Sequence, residues 1–272
     1  MSDGRDKHYD PEAYWANRYS EVDVTRSGHI DLPAAYNLWL YRRKKEHLLH
    51  LLRRQGFEPK GASIFEVATG SGVYVDFWRQ QGVAKLVGID ISEAAASAVR
   101  SRFPQYQFHK RDLSEPGLAS LVGTGFDLVT AVDVLYHIVD DQAFARSLEN
   151  MAAVIAPGGL LAIHDIWLNG ETRDFGYMRL RDLSDYTRAL ERAGFDVLVR
   201  RPTFFSAVQW RKPHRPAVER LHDWIWSRVM WRFLGRFPHA TGAVTYGIDR
   251  ILGSMMREGP SFEMMICRKR AS

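Results

Sequence analysis

Between residues 66 and 72 the chain reads Glu66-Val67-Ala68-Thr69-Gly70-Ser71-Gly72, and a further acid, Asp90, stands twenty residues beyond Gly70. Glycines at 70 and 72 let the backbone turn sharply and come close to a bound molecule. An acid at the distance of Asp90, ending the next strand, suits the two hydroxyls of a ribose. A nicotinamide dinucleotide would require a third glycine for close helix-to-strand packing, where this chain has Val75. An acid inside the turn, Glu66, also opposes a pyrophosphate and favours an ammonium or sulfonium. A cationic, ribose-bearing cofactor therefore fits these residues better than a dinucleotide.

Such a turn works only between a strand and a helix, and the surrounding patterns supply both. Apolar runs at 63–68, 85–91, 106–109, 126–132, 160–167, 195–205 and 262–268 read as strands. Helical patterns fill 73–81, 93–103, 140–156 and 184–193, with Pro157-Gly158-Gly159 as a turn between two elements. Strands alternating with helices on short connections give an α/β fold, a doubly wound, mostly parallel sheet covered on both faces. Ahead of it, residues 32–55 form a helix with Leu38, Tyr41, Leu48, Leu49, Leu51 and Leu52 on its apolar side and Arg42 to Lys45 as a solvated face. Residues 210–258 are helical, aromatic and basic, a connection long enough to be functional. The expected organisation is an N-terminal helical lid (1–58), a cofactor-binding core (59–206), a helical insertion (207–258) and a final strand with tail (259–272).

The bulk composition is that of a globular protein: 272 residues, 46% apolar and 25% charged. A single cysteine, Cys267, excludes an internal disulfide. No run approaches the roughly 18 apolar residues of a spanning helix, and the start lacks a signal-peptide pattern, so a cytoplasmic location is expected. Aromatic residues at 12% and a net charge of +5 suggest a partner that is apolar, anionic or both.

With these elements placed, the chain resembles the class I S-adenosylmethionine-dependent methyltransferases over roughly residues 60–206 and the last strand. That resemblance implies S-adenosylmethionine as cofactor and a Rossmann-like seven-stranded sheet whose last strand runs antiparallel between the fifth and sixth. Glu66, Ala68, Gly70 and Gly72 match the family's first motif, with Ala68 standing where glycine is commoner. Asp90, with its neighbour Ile91, matches the ribose-binding position, and Asp112 with Leu113 the adenine contacts. Phe126-Asp127-Leu128-Val129 leading to Asp133 matches the fourth-strand motif, and Pro157-Gly158-Gly159 the following turn. Tyr14 and Tyr19 are placed in a lid over the methionine end of the cofactor.

The acceptor is set by what else surrounds the methyl group. A hydroxyl needs a general base, an amine must be neutral, and an alkene needs a stabilised cation and then loss of a proton. His137 is one candidate base, or else a histidine packed near the cofactor. His164-Asp165 is either a tautomer-fixing pair or a strand end, and Glu171 either a base or an exposed loop carboxylate. Phe204, Phe205, Trp210, Trp224, Trp226, Trp231 and Phe233 interleave with Arg200, Arg201, Arg211, Lys212, His214 and Arg215. Spaced as they are, Trp224 and Trp231 form a buried seam or a pocket wall. The organisation is similar to the bacterial geranyl diphosphate C6-methyltransferase type. On that resemblance Trp210, Phe205, Tyr136 and Trp167 line the acceptor, Arg201 and Arg211 with Arg200 hold its diphosphate together with Mg2+, and Glu171 takes the proton. We set this ahead of O-methylation of a sugar or natural-product hydroxyl with His137 as base. The expected partner is thus a small molecule, apolar with an anionic head. Nucleic acid is excluded for want of a recognisable binding module. Membrane spanning is excluded too, although the Arg/Trp-rich insertion could lie in a headgroup plane. Monomer and homo-oligomer both stay open.

Overall fold

In a computed structural model of the chain, residues 9–19, 28–29, 31–212 and 216–271 are described; His214 and Arg215 fall outside them. The apolar runs become strands β1 (Ser63–Val67), β2 (Lys85–Asp90), β3 (Gln107–Lys110), β4 (Phe126–Val132) and β5 (Ile155–Asp165). Two-residue strands β6 (Arg173–Asp174) and β7 (Arg179–Leu180) pair with each other, followed by β8 (Phe195–Pro202) and β9 (Glu263–Lys269). Seven of these form one sheet in the order β3-β2-β1-β4-β5-β9-β8, parallel except for β9, which runs antiparallel to both neighbours.

Side chains alternate across the sheet. Phe65, Val129, Leu161 and Met265 enter one core with Leu148, Met151 and Leu190, while Ile64, Leu128, Leu160 and Met264 enter the other with Leu48, Leu52, Val75 and Trp78. Both faces are covered, which is why the strands read as continuous apolar runs. Three of the helices around the sheet start where a side chain accepts from a free backbone N–H group. Ser92 caps Glu93–Arg102, Asp140 caps Asp141–Val154 and Asp182 caps Leu183–Arg192, each worth about 1 kcal/mol.

Several expectations are corrected. The helix expected over 32–55 runs Ala34–Arg54, but its basic stretch is not all solvated: Arg43 and Lys44 are buried, and Leu38, assigned to the apolar side, is 52% exposed. The reason is a second partner. The helix meets the sheet through Leu48 and Leu52, and the insertion helix Pro238–Met255 on another side. There Gly242 faces Trp39 so closely that an added Cβ would sit 2.3 Å from its ring. The turn expected at 157–159 lies within β5, which begins at Ile155 directly after the helix and absorbs the bend in a register shift opposite Phe126 and Leu128. The strand expected over 195–205 stops at Pro202, because the backbone N–H groups of Phe205, Ser206 and Ala207 donate to the buried Asp249 carboxylate instead of a neighbouring strand. A short helix, Leu118–Val122, had no sequence signal.

The insertion contains helices Pro216–Trp224, Trp231–Arg236 and Pro238–Met255, the first two joined through a π-helical turn, Ile225–Met230. Among the described residues Trp226 and Leu234 are the large apolar side chains buried there, with Tyr36, Leu40 and Phe204. Trp224 and Trp231, expected to share a buried seam or a pocket wall, are 55% and 42% exposed. The wider π turn between them changes which residues face inward.

Candidate active site

A cavity of about 270 Å³ opens at the carboxyl ends of β1, β2, β3 and β4, where an open α/β sheet binds ligands. The first turn is built by glycines in the left-handed region, Gly70 (φ 51°) and Gly72 (φ 76°). Ala68 takes the same region at φ 56°, a conformation that strains a residue with a Cβ. Asp90 fixes this turn to the second strand: one carboxylate oxygen accepts from the Gly70 N–H at 2.8 Å, the other from the Ser92 N–H at 2.9 Å. Burial pushes its carboxyl up to about 6, against the pull of those two donors.

Glu66 stands behind this wall. It is buried, accepts from Trp78 Nε1 at 3.0 Å and from the Thr130 hydroxyl, and burial pushes it up to about 8. Its role in the structure is to tie β1, β4 and the Val73–Gln80 helix together, so the charge assigned to it as a counterion is not presented at the cavity. That charge lies on Asp133, also at a positive φ of 57°, on the cavity wall. Its carboxylate bridges the Lys44 ammonium and His164 Nδ1. Burial pushes Asp133 up, but Lys44 and His164 together hold it well below the usual carboxylate range. His164 therefore pairs with Asp133, and the expected His164-Asp165 pair is corrected. Asp165 faces the other way, accepting from the Tyr186 hydroxyl at 3.2 Å, because successive strand residues point to opposite faces.

On the same wall lies His137, in a 3₁₀ turn (Leu135–His137) after β4. Its Nδ1 lies 3.0 Å from the Tyr177 carbonyl. A carbonyl only accepts, so the proton sits on Nδ1 and Nε2 keeps its lone pair. Burial lowers its pKa to about 4, so the ring is neutral at pH 7. Trp15 meets it edge-on at 5.0 Å and stacks with Tyr19 at 5.6 Å, both in the lid segment around helix Pro11–Arg18.

Of the sequence-derived candidates, Ala68, Gly70, Asp90, Ile91, Asp112, Leu113, Asp133, Tyr19 and His137 line the cavity. Glu66, Gly72 and Tyr14 do not; Tyr14 stacks on Tyr177 at 6.1 Å. The acceptor set is scattered. Trp167 is fully buried in the core against Tyr186, and Tyr136 packs on Phe262. Trp210 stacks on His222 at 4.2 Å and donates to the carbonyl of Phe205, which is half-buried. Arg200 is engaged by Glu263 and Glu258, Arg201 donates to a backbone carbonyl, and Arg211 is exposed. Glu171 is exposed on the loop after β5. None of these lines the cavity.

Sequence reasoning missed Tyr41, Tyr74, Trp15, Thr69 and Arg111 on the wall, and Lys44 behind Asp133. A signal for Lys44 existed: it falls at helical spacing within the stripe Tyr41, Lys44, Leu48, Leu51, where a cation must find an anion. The hydroxyls of Tyr41, Tyr74 and Thr69 are buried with no hydrogen-bond partner among the described residues. Such groups suit the charged end of a zwitterionic ligand, on the same wall as Asp90, Asp112 and Leu113.

Residues 38–200, more than half of the chain, match the methyltransferase domain family. A dTDP-4-amino-2,3,4,6-tetradeoxy-D-glucose N,N-dimethyltransferase of Saccharopolyspora spinosa is 30% identical over 40% of this chain and 42% of its own length. A probable S-adenosylmethionine-dependent methyltransferase of Mycolicibacterium smegmatis is 24% identical over 65% of this chain and 67% of its own. The chain spans less than half the length of the amino-sugar dimethyltransferases it matches. Among solved structures, a putative sarcosine dimethylglycine methyltransferase from Galdieria sulphuraria superposes with a TM-score of 0.58 at 15% identity, covering 96% of this chain and 99% of that one. Magnesium protoporphyrin IX methyltransferase from Synechocystis PCC 6803, with bound cofactor, gives 0.56 at 12% identity, covering 96% and 98%. Both likenesses are of fold. Motif order, strand order and the family match agree, and the chain belongs to the class I S-adenosylmethionine-dependent methyltransferases.

Proposed function

We propose that this chain methylates a hydroxyl or amine of a sugar-like or natural-product small molecule, with His137 as general base. The bound cofactor supplies an electrophilic methyl group on a sulfonium. The chain's residues must align the nucleophile, exclude water and take its proton. The observation that carries the reading is His137 itself: on the cavity wall, neutral, with its tautomer set by the Tyr177 carbonyl so that Nε2 can accept. Trp15 and Tyr19 close over the same space and shield it from water. Asp90 and Asp112 hold the nucleoside, while Tyr41, Tyr74 and Thr69 offer hydroxyls to the amino-acid end.

Two of the similar proteins, by their names, are dimethyltransferases of dTDP-linked amino sugars, which supports an acceptor of this kind. Methylation of a prenyl diphosphate alkene has less support, since Glu171, Trp210 and the arginines it requires lie off the cavity wall. The test is mass spectrometry of products from methyl-labelled cofactor with a panel of amino- and hydroxy-sugar nucleotides, polyketide-like alcohols, and geranyl and farnesyl diphosphates. Label on oxygen or nitrogen is the expected outcome. Label on carbon of a prenyl diphosphate, with none on the others, would overturn it.

A further inference from the structure

The insertion turns much of its apolar surface outward. Along residues 216–237 the side chains of Leu221, Trp224, Ile225, Trp231, Phe233 and Phe237 are between 38% and 58% exposed. In the following helix, Pro238–Met255, Val244, Ile248, Ile251 and Met255 recur at helical spacing and are between 41% and 74% exposed. Large apolar groups this concentrated mark an interaction surface. Arg228, Arg232 and Arg236 are interleaved with the first set and exposed. Among the described residues no acid lies within ion-pair distance of those three. The acid nearest in sequence, Asp223, approaches His222, and Asp249 is buried on backbone N–H groups.

Charge decides between occupants. A second copy docked face to face would bring these arginines against their own counterparts, with Asp223 the one exposed carboxylate among the described side chains of the stretch to meet them. A surface of phosphate groups over hydrocarbon meets both halves of the pattern: guanidinium groups pair with phosphates, while Trp and Phe rings settle at the headgroup level. The helices are too polar to cross: no described helix is long and apolar enough to span a bilayer.

We propose that the insertion docks this protein reversibly on the surface of an anionic phospholipid membrane, through Trp224, Trp231 and Phe233 with Arg228, Arg232 and Arg236. This concerns the outer face of the insertion and does not depend on which acceptor the cavity takes.

The test is co-sedimentation of the full chain with vesicles of phosphatidylcholine alone or with phosphatidylserine, at low and high salt, beside sedimentation velocity without lipid. Binding to the phosphatidylserine vesicles, weak or absent on phosphatidylcholine and reduced by salt, is expected. W224S/W231S/F233S should lower the partition at least about tenfold, by loss of buried apolar area. R228Q/R232Q/R236Q should erase the preference for phosphatidylserine, and circular dichroism should show both variants folded. Absence of vesicle binding by the unaltered chain would overturn the proposal. So would a lipid-independent dimer that the aromatic variant dissolves, which would assign the face to a second copy, or equal binding to both lipids.

Discussion

The two halves of the cavity hold their carboxyl groups in different ways. At the ends of β1 and β2, Asp90 is held by the backbone N–H groups of Gly70 in the first turn and of Ser92 two residues on, and Glu66, behind the wall, is sealed by Trp78 and Thr130. Burial raises both, to about 6 and about 8. At the ends of β4 and β5, Asp133 is held by side chains from far away, Lys44 from the preceding helix and His164 from the next strand. Those partners hold it ionised. The first half shapes the turn. The second sets the charge on the cavity wall, and it does so by fastening the Ala34–Arg54 helix to the sheet.

Breaking the second half should cost most. Asp133→Asn leaves the buried Lys44 ammonium without its counter-charge, a loss on the order of 3 kcal/mol. Denaturant unfolding at pH 7 measures it. The depressed acidity of Asp133 contributes stability that is present above the unfolded carboxyl range and lost as pH falls, so the gap between variant and wild type should shrink below about pH 4. A cost unchanged down to pH 3 would place the effect in packing rather than charge.

In the first half the sign reverses. Glu66 binds its proton more tightly folded than unfolded, so ionising it destabilises the fold as pH rises from its unfolded range towards about 8. Glu66→Gln removes that penalty. Relative to wild type, its stability should improve by roughly 2 to 4 kcal/mol between pH 5 and pH 9. Urea midpoints at the two pH values check it. A constant difference would mean that Glu66 is ionised throughout.

The smallest effect sharpens the account of the turn itself. Ala68→Gly relieves a left-handed backbone that strains alanine, at some cost in chain entropy, and should stabilise by no more than about 1 kcal/mol. A fall in melting temperature would show instead that the alanine methyl packs usefully.

The same contrast explains what could be read from the residue order. The first turn, its glycines and Asp90 are local: the spacing that makes them recognisable is the spacing that makes them work. Asp112, Leu113 and Asp133 were also legible, as strand-end positions in the order of a known family. What holds Asp133 was not. Lys44 sits 89 residues away in a run of four basic residues, and only the packing of its helix on both sheet and insertion shows it turned inward. The acceptor side failed for a related reason. Parity along β5 sends Trp167 into the core, and the π turn in the insertion turns Trp224 and Trp231 outward, neither of which composition reveals. His137 was visible as a candidate, but its rank over Glu171 rests on the Tyr177 carbonyl, brought up by the loop carrying β6 and β7.

That rank can be measured directly by comparing kcat for His137→Gln and Glu171→Gln in the full chain, on an acceptor found with labelled cofactor. Loss of a general base should lower kcat in His137→Gln by a factor of about 100 to 10,000 with cofactor affinity kept, while the exposed Glu171→Gln stays within about twofold of wild type. A Glu171→Gln enzyme that loses turnover while His137→Gln retains it would contradict the assignment.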